Sequence, residues 1–120
     1  MPHIEVKTTK TLTTEQKAGL ANKLVDAFAE CSDPAVAANI QFIIEDGLFI
    51  QFRGDSTGPS ANVQVHPGPL TPKADYEKIV QAFFPILVKE LDTPQNKIYI
   101  TISEIQNWGF DGELVKVKTE

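Results

Sequence analysis

The residue with the clearest chemical potential is the second one. Pro2 follows Met1, and an initiator methionine is normally removed when its successor is small, as proline is. Removal leaves a secondary amine as the first atom of the chain. An α-amino group has an ordinary pKa of about 7.7–8.0. An apolar pocket disfavours the ammonium form and lowers that value. An amine that is neutral near pH 7 can act as a general base or a nucleophile. Proline in second position is common, so Pro2 gains weight only from what stands elsewhere.

Other chemistries are poorly supplied. His3 and His66 have no acid or cysteine partners at ligand spacing, so no metal site is expected. His3 should point to the sheet face opposite Pro2 and is read as structural, whereas His66 ends a strand before a Pro-Gly-Pro turn and could reach a site at the sheet edge. Gly-x-Ser-x-Gly is absent, which removes that route to a serine nucleophile. Cys31 stands alone, which excludes an internal disulfide and a CxxC motif. No cofactor is expected. The formal net charge is −5 and the basic residues are scattered singly, which argues against nucleic acid as partner. No stretch reads as a membrane span or signal segment, so the expected compartment is the cytoplasm.

The elements that must position these residues are written twice. Leu12-Thr13-Thr14 opens one helical segment and Leu70-Thr71-Pro72 opens another 58 residues later. The octets beginning at Asn39 and Lys97 stand at the same offset of 58, and both alternate Ile or Phe and end on an acid. The 120 residues are the length of one domain, 42% apolar and 22% charged. We read one domain with pseudo-repeats at about 2–53 and 60–112.

Each repeat reads strand, helix, strand. Ile4 and Val6 alternate with polar residues, as in a half-buried strand. Thr13 and Gln16 form a capping box, and Leu20, Ala21, Leu24, Val25 and Phe28 make a helical stripe that should stop near Asp33-Pro34. In the second repeat Val63 and Val65 mark the strand, Thr71 caps, Pro72 takes the first helical position, and Pro85 should kink the helix or shift its boundary. Leu48 to Phe52 is a further strand candidate, and Arg53 to Pro59 a linker. Short crossovers predict parallel pairing within each repeat. The result is an α/β fold, a four-stranded sheet with both helices on one face. Ile40, Phe42, Ile44, Ile98, Ile100 and Ile102 should face the helices. The other face, with Glu5, Gln41, Ile43, Gln64, Tyr99 and Thr101, is expected to be a subunit interface.

Three stretches together resemble the tautomerase superfamily, in its 4-oxalocrotonate tautomerase-like and macrophage-migration-inhibitory-factor-like branches. They are Pro2 opening a strand, Leu12 to Lys17 starting the first helix at the family's distance, and Ile100 to Ile105 followed by Trp108-Gly109-Phe110-Asp111-Gly112-Glu113-Leu114. The resemblance spans nearly the whole chain and implies a homotrimer with active sites near subunit boundaries. It implies that Pro2 moves protons between carbon and oxygen of small enols or 2-oxo acids, or acts as an acid in dehalogenation or decarboxylation. Trp108, with Phe110 next, would wall the proline, and Tyr99 would line the site and hydrogen-bond a substrate oxygen. Ser60 is the expected counterpart of Pro2 in the second repeat. It is internal and has no free amine, so one catalytic site per chain follows.

The chain departs from the family where a carboxylate would be bound. Cys31-Ser32-Asp33-Pro34, Leu12 and Val65-His66-Pro67-Gly68-Pro69 hold no cation. Arg53 is the guanidinium left for that task, with Lys10 and Lys97 as further cations. The alternative to a proline-dependent tautomerase is a non-catalytic oligomeric scaffold for ligand binding or protein contact.

Overall fold

A computed structural model of the chain describes residues 2–32, 39–68 and 75–115. Strand β1 (His3–Thr8) leads to helix α1 (Thr14–Glu30) and strand β2 (Gln41–Glu45). The second half repeats the plan with β3 (Ala61–His66), α2 (Tyr76–Leu91) and β4 (Ile98–Ile102). A hairpin, β5 (Trp108–Phe110) and β6 (Glu113–Val115), follows. The sheet order is β2-β1-β3-β4, with β1–β2 and β3–β4 parallel and the central pair β1–β3 antiparallel.

One apolar layer holds this arrangement together. Ile4, Val6, Val63 and Val65 are sealed from solvent on the helix side of the central strands. They meet Leu20, Leu24 and Phe28 of α1 and Ile79, Phe83, Leu87 and Leu91 of α2. The outer strands add Ile98, buried, and Ile40, Phe42, Ile44, Ile100 and Ile102, half-buried, which is the predicted helix-facing set. Lys23 and Glu90 pair across the two helices.

The capping box is present at α1. Thr13 Oγ1 accepts from Gln16 N at 3.1 Å, and Thr13 N donates to Gln16 Oε1 at 2.9 Å. Helix α1 ends at Glu30 with Cys31 as C-cap. Asp33 and Pro34, where the sequence stops it, lie outside the described residues.

Four expectations change. Helix α2 starts at Tyr76 with Asp75 as its N-cap, the carboxylate accepting from Lys78 N at 3.1 Å; Thr71 and Pro72 lie outside the described residues. Pro85 neither ends nor divides α2. It is exposed, as is Gln81 one turn earlier, so the carbonyl left without its helical donor lies toward water. Leu48 to Phe52 is not a strand. Leu48 N still donates to Thr8 O at 3.0 Å, but β1 ends there and is already paired with β2 on one side and β3 on the other.

The fourth change concerns the repeat. Phe42 and Ile100 are 58 residues apart, yet the residues opposite them, Ile4 and Val63, are 59 apart. The connection from β3 to β4 is therefore one residue shorter than that from β1 to β2, and Pro2 corresponds to Ala61, not Ser60. Ser60 lies outside the strand, where its hydroxyl donates to Lys97 O at 2.9 Å. Ala61 is internal too, so the second repeat still supplies no free amine.

Candidate active site

Pro2 is buried at the head of β1. The strand alternation gives it the parity of Ile4 and Val6, on the helix side of the sheet. Its carbonyl accepts from Gln41 N at 3.1 Å, which fixes the residue between β1 and the start of β2. The C-terminal end of α1, the start of α2 and the exit of β4 lie at this same end. Asp75 N donates to Cys31 O at 3.4 Å, and Ser103 N donates to Val65 O at 3.0 Å.

The other site candidates are elsewhere. Tyr99 is paired with Asn62, and Asn62 with Lys7. Tyr99 is therefore level with a residue five places along β1 from Pro2 and two strands across. At about 3.4 Å per residue and about 4.8 Å per strand, the Cα separation is about 20 Å. Tyr99 is also on the face turned away from the helices, 60% exposed.

Arg53 comes close to Tyr99 through its neighbour. Phe52 and Asp55 bridge with N–H to carbonyl distances of 2.9 and 3.0 Å around Arg53 (φ 54°) and Gly54 (φ 79°). Positive φ at both central residues is a type I′ turn, where glycine costs least. Phe52 meets the Tyr99 ring edge-on at 5.1 Å between centroids, and Lys97 Nζ lies 5.2 Å from the Phe52 centroid. Arg53 itself is exposed at the tip.

Trp108 and Phe110 share β5. The indole N–H of Trp108 donates to Ile105 O at 2.6 Å, and the Asp111-Gly112 turn closes the predicted hairpin. Phe110 and Leu114 are 43% and 58% exposed, large apolar surfaces on a hairpin paired only within itself among the described residues. Tyr76 ties the connector before this hairpin to α2, its hydroxyl donating to the Glu104 carboxylate. Burial, and then this hydrogen bond, push the Tyr76 phenol up to about 12, so it stays a donor.

His3 and His66 face each other across the central pair, their rings stacked at 5.6 Å with an 18° interplanar angle. They lie on the face away from the helices, so His66 is partnered with His3 and is not aimed at Pro2. Cys31 is half-buried, and burial first, then Glu30, pushes its thiol up, away from thiolate chemistry. Among the described residues no group of three or more metal-ligating side chains is placed to hold an ion. An open groove of about 640 Å³, lined by Thr9, Lys10, Phe49, Thr57, Pro59 and Asp92 among others, lies at the far end of β1 from Pro2. No helix among the described residues is long and apolar enough to cross a membrane.

Sequence reasoning named Lys97 only as a further cation and gave Phe52 no role at the site. A lone aromatic beside a Gly-Asp turn and a lysine opening a strand carry no periodic signal; only the fold brings them to Tyr99.

Comparison with known proteins agrees with this architecture. Residues 1–115 match the family model described as macrophage migration inhibitory factor. No curated protein matches the chain. The crystal structure of MIF2 from Leishmania major superposes with a TM-score of 0.82 at 18% identity, over 96% of this chain and 97% of that one. The macrophage migration inhibitory factor-like protein of Entamoeba histolytica gives 0.81 at 19% identity, over 95% and 98%. Pt0534 inactivated by 2-oxo-3-pentynoate gives 0.77 at 16% identity, over 92% and 93%.

Proposed function

Because the chain belongs to the macrophage migration inhibitory factor family, we propose that it is a tautomerase whose general base is Pro2, freed of Met1. Its substrates are small enols or 2-oxo acids. The observation that carries this reading is Pro2 itself, buried at the head of a central strand with its carbonyl fixed by Gln41. Burial favours the neutral amine. The amine moves a proton between the enol oxygen and the adjacent carbon, ending each cycle as it began, while the Tyr99 hydroxyl donates to a substrate oxygen.

A separation of about 20 Å excludes a site holding Pro2 and Tyr99 of one chain. The active unit is therefore an oligomer, a homotrimer in our reading. Pro2 of one subunit meets Tyr99 and Arg53 of a second copy, and Trp108 and Phe110 form the apolar wall that keeps the amine dry. Their exposed apolar surface supports that assembly.

The inactivation of Pt0534 by 2-oxo-3-pentynoate makes the same reagent a direct test. A neutral Pro2 adds through nitrogen to the conjugated alkyne, and its N–H proton ends on carbon. With Met1 removed, mass spectrometry should find one adduct per chain, on the N-terminal peptide, with loss of enol–keto conversion of phenylpyruvate. Labelling elsewhere, or full labelling with activity intact, would favour a non-catalytic scaffold.

A further inference from the structure

We propose that Lys97, aimed by Phe52 and Asp55, is the residue that takes the substrate carboxylate, and that Arg53 serves at the rim. This rests on the shared-site reading above and names the cation the sequence leaves open, where Arg53 is the expected partner.

The loop from Phe52 to Ser60 is built before any ligand arrives. Asp55 Oδ1 accepts from Thr57 N at 2.8 Å, Thr57 Oγ1 at 2.8 Å and Gly58 N at 3.3 Å. These bonds, with a smaller contribution from Lys97, hold the Asp55 carboxyl below the usual range, so it is ionised at neutral pH. Its other oxygen is 3.8 Å from Lys97 Nζ, close enough to attract the ammonium and longer than a formed hydrogen bond. Phe52 holds the ammonium from a second side at 5.2 Å. The Lys97 backbone is held too, its carbonyl accepting from Ser60 Oγ.

An ammonium carries three donors, and neither neighbour takes one in a short bond. The Lys97 side chain is only 25% exposed, so most of the freedom that a carboxylate would otherwise have to remove is already spent. Arg53 differs in each respect: it stands exposed at the tip of its turn. Lys97 and Arg53 against Asp55 leave a local excess of one positive charge. Lys97 is two residues before Tyr99 and touches the same Phe52 ring that Tyr99 does. A carboxylate on Lys97 would place the reacting end of a small substrate toward the Tyr99 hydroxyl.

The test separates this proposal from catalysis by Pro2. Binding of phenylacetate and of neutral phenylacetamide is measured by calorimetry on the assembled protein, with Lys97→Met, Lys97→Arg and Arg53→Ala beside the parent. The expected result is phenylacetate weakened about tenfold or more in Lys97→Met, the loss of one charge-assisted hydrogen bond. The amide should be unchanged, Lys97→Arg should restore part of the loss, and Arg53→Ala should weaken phenylacetate less than Lys97→Met. A merely structural lysine would weaken both probes together. Equal losses for acid and amide, a larger loss in Arg53→Ala, or a parent that prefers the amide would overturn the proposal. Because no turnover is read, failure here leaves the Pro2 reading standing, and a chain that fails the Pro2 labelling test can still show the Lys97 preference.

Discussion

Pro2 and Tyr99 stand at opposite ends and on opposite faces of one four-stranded sheet: Pro2 heads β1 on the helix side, while Tyr99 is level with Lys7 on the other side. Within one chain they cannot touch the same small molecule. A catalytic unit that uses both is an assembly, and its first consequence is complementation between damaged subunits.

In protein with Met1 retained the Pro2 nitrogen is an amide and no base, and Tyr99→Phe loses a hydrogen-bond donor, which should cost about tenfold in rate. Co-refolding the two should give more activity than the sum of the separate samples, because some sites then pair a free Pro2 with an intact Tyr99. Sedimentation equilibrium of the mixture should report trimers. Strict additivity would mean that each site lies within one chain.

The two links at the ends of the fold should titrate in opposite directions. Asp46 accepts from Leu12 N at 2.8 Å and pairs with Lys17 at 3.0 Å, and the backbone hydrogen bond above all holds its carboxyl below the usual range. A depressed acid stabilises above its unfolded pKa, so this contribution is present at neutral pH and is lost as pH falls below about 4. Asp46→Asn should have a lower Tm at pH 7, with the gap from the parent closing toward pH 3.

Tyr76 is the converse. Its folded value of about 12 lies above the ordinary value for tyrosine, so the donated bond to Glu104 contributes up to about pH 10 and is lost as pH rises toward 12. Tyr76→Phe should lower Tm at pH 8 and remove this part of the alkaline fall. Trp108 emission should change with it, because Glu104 anchors the connector that leads to β5. An unchanged alkaline limb in Tyr76→Phe would mean that the phenol is not in this bond.

Core and cap give a scale for stability. Phe83 is fully buried between α2 and the sheet. Phe83→Ala should cost about 3–5 kcal/mol in urea unfolding. Thr13→Ala removes the acceptor of the α1 capping box and should cost about 1 kcal/mol.

What the sequence made legible follows from which signals are local. The alternation of Ile40, Phe42 and Ile44 and its echo in Ile98, Ile100 and Ile102 predicts two matching strands and their helix-facing side. The Thr13–Gln16 box predicts the start of α1 because both partners lie within one turn. The false strand at Leu48 to Phe52 is apolar enough for a strand, but strand identity also needs a ladder partner, and β1, beside which it begins, is paired on both sides. The counterpart of Pro2 slips from Ser60 to Ala61 because an offset read from the later strands already carries the one residue by which the β3–β4 connection is shorter than the β1–β2 connection. The contacts of Phe52 with Tyr99 and Lys97 join residues about 45 apart in the chain, and no window short enough to show periodicity spans them.

The most direct measurement follows one sample as methionine aminopeptidase exposes Pro2. Intact mass gives the fraction of chains that have lost Met1, and phenylpyruvate enol–keto conversion gives the rate at each time. The rate should rise from near background in proportion to the free-proline fraction, with circular dichroism and sedimentation unchanged throughout. A rate that is the same before and after Met1 is removed would contradict Pro2 as the base.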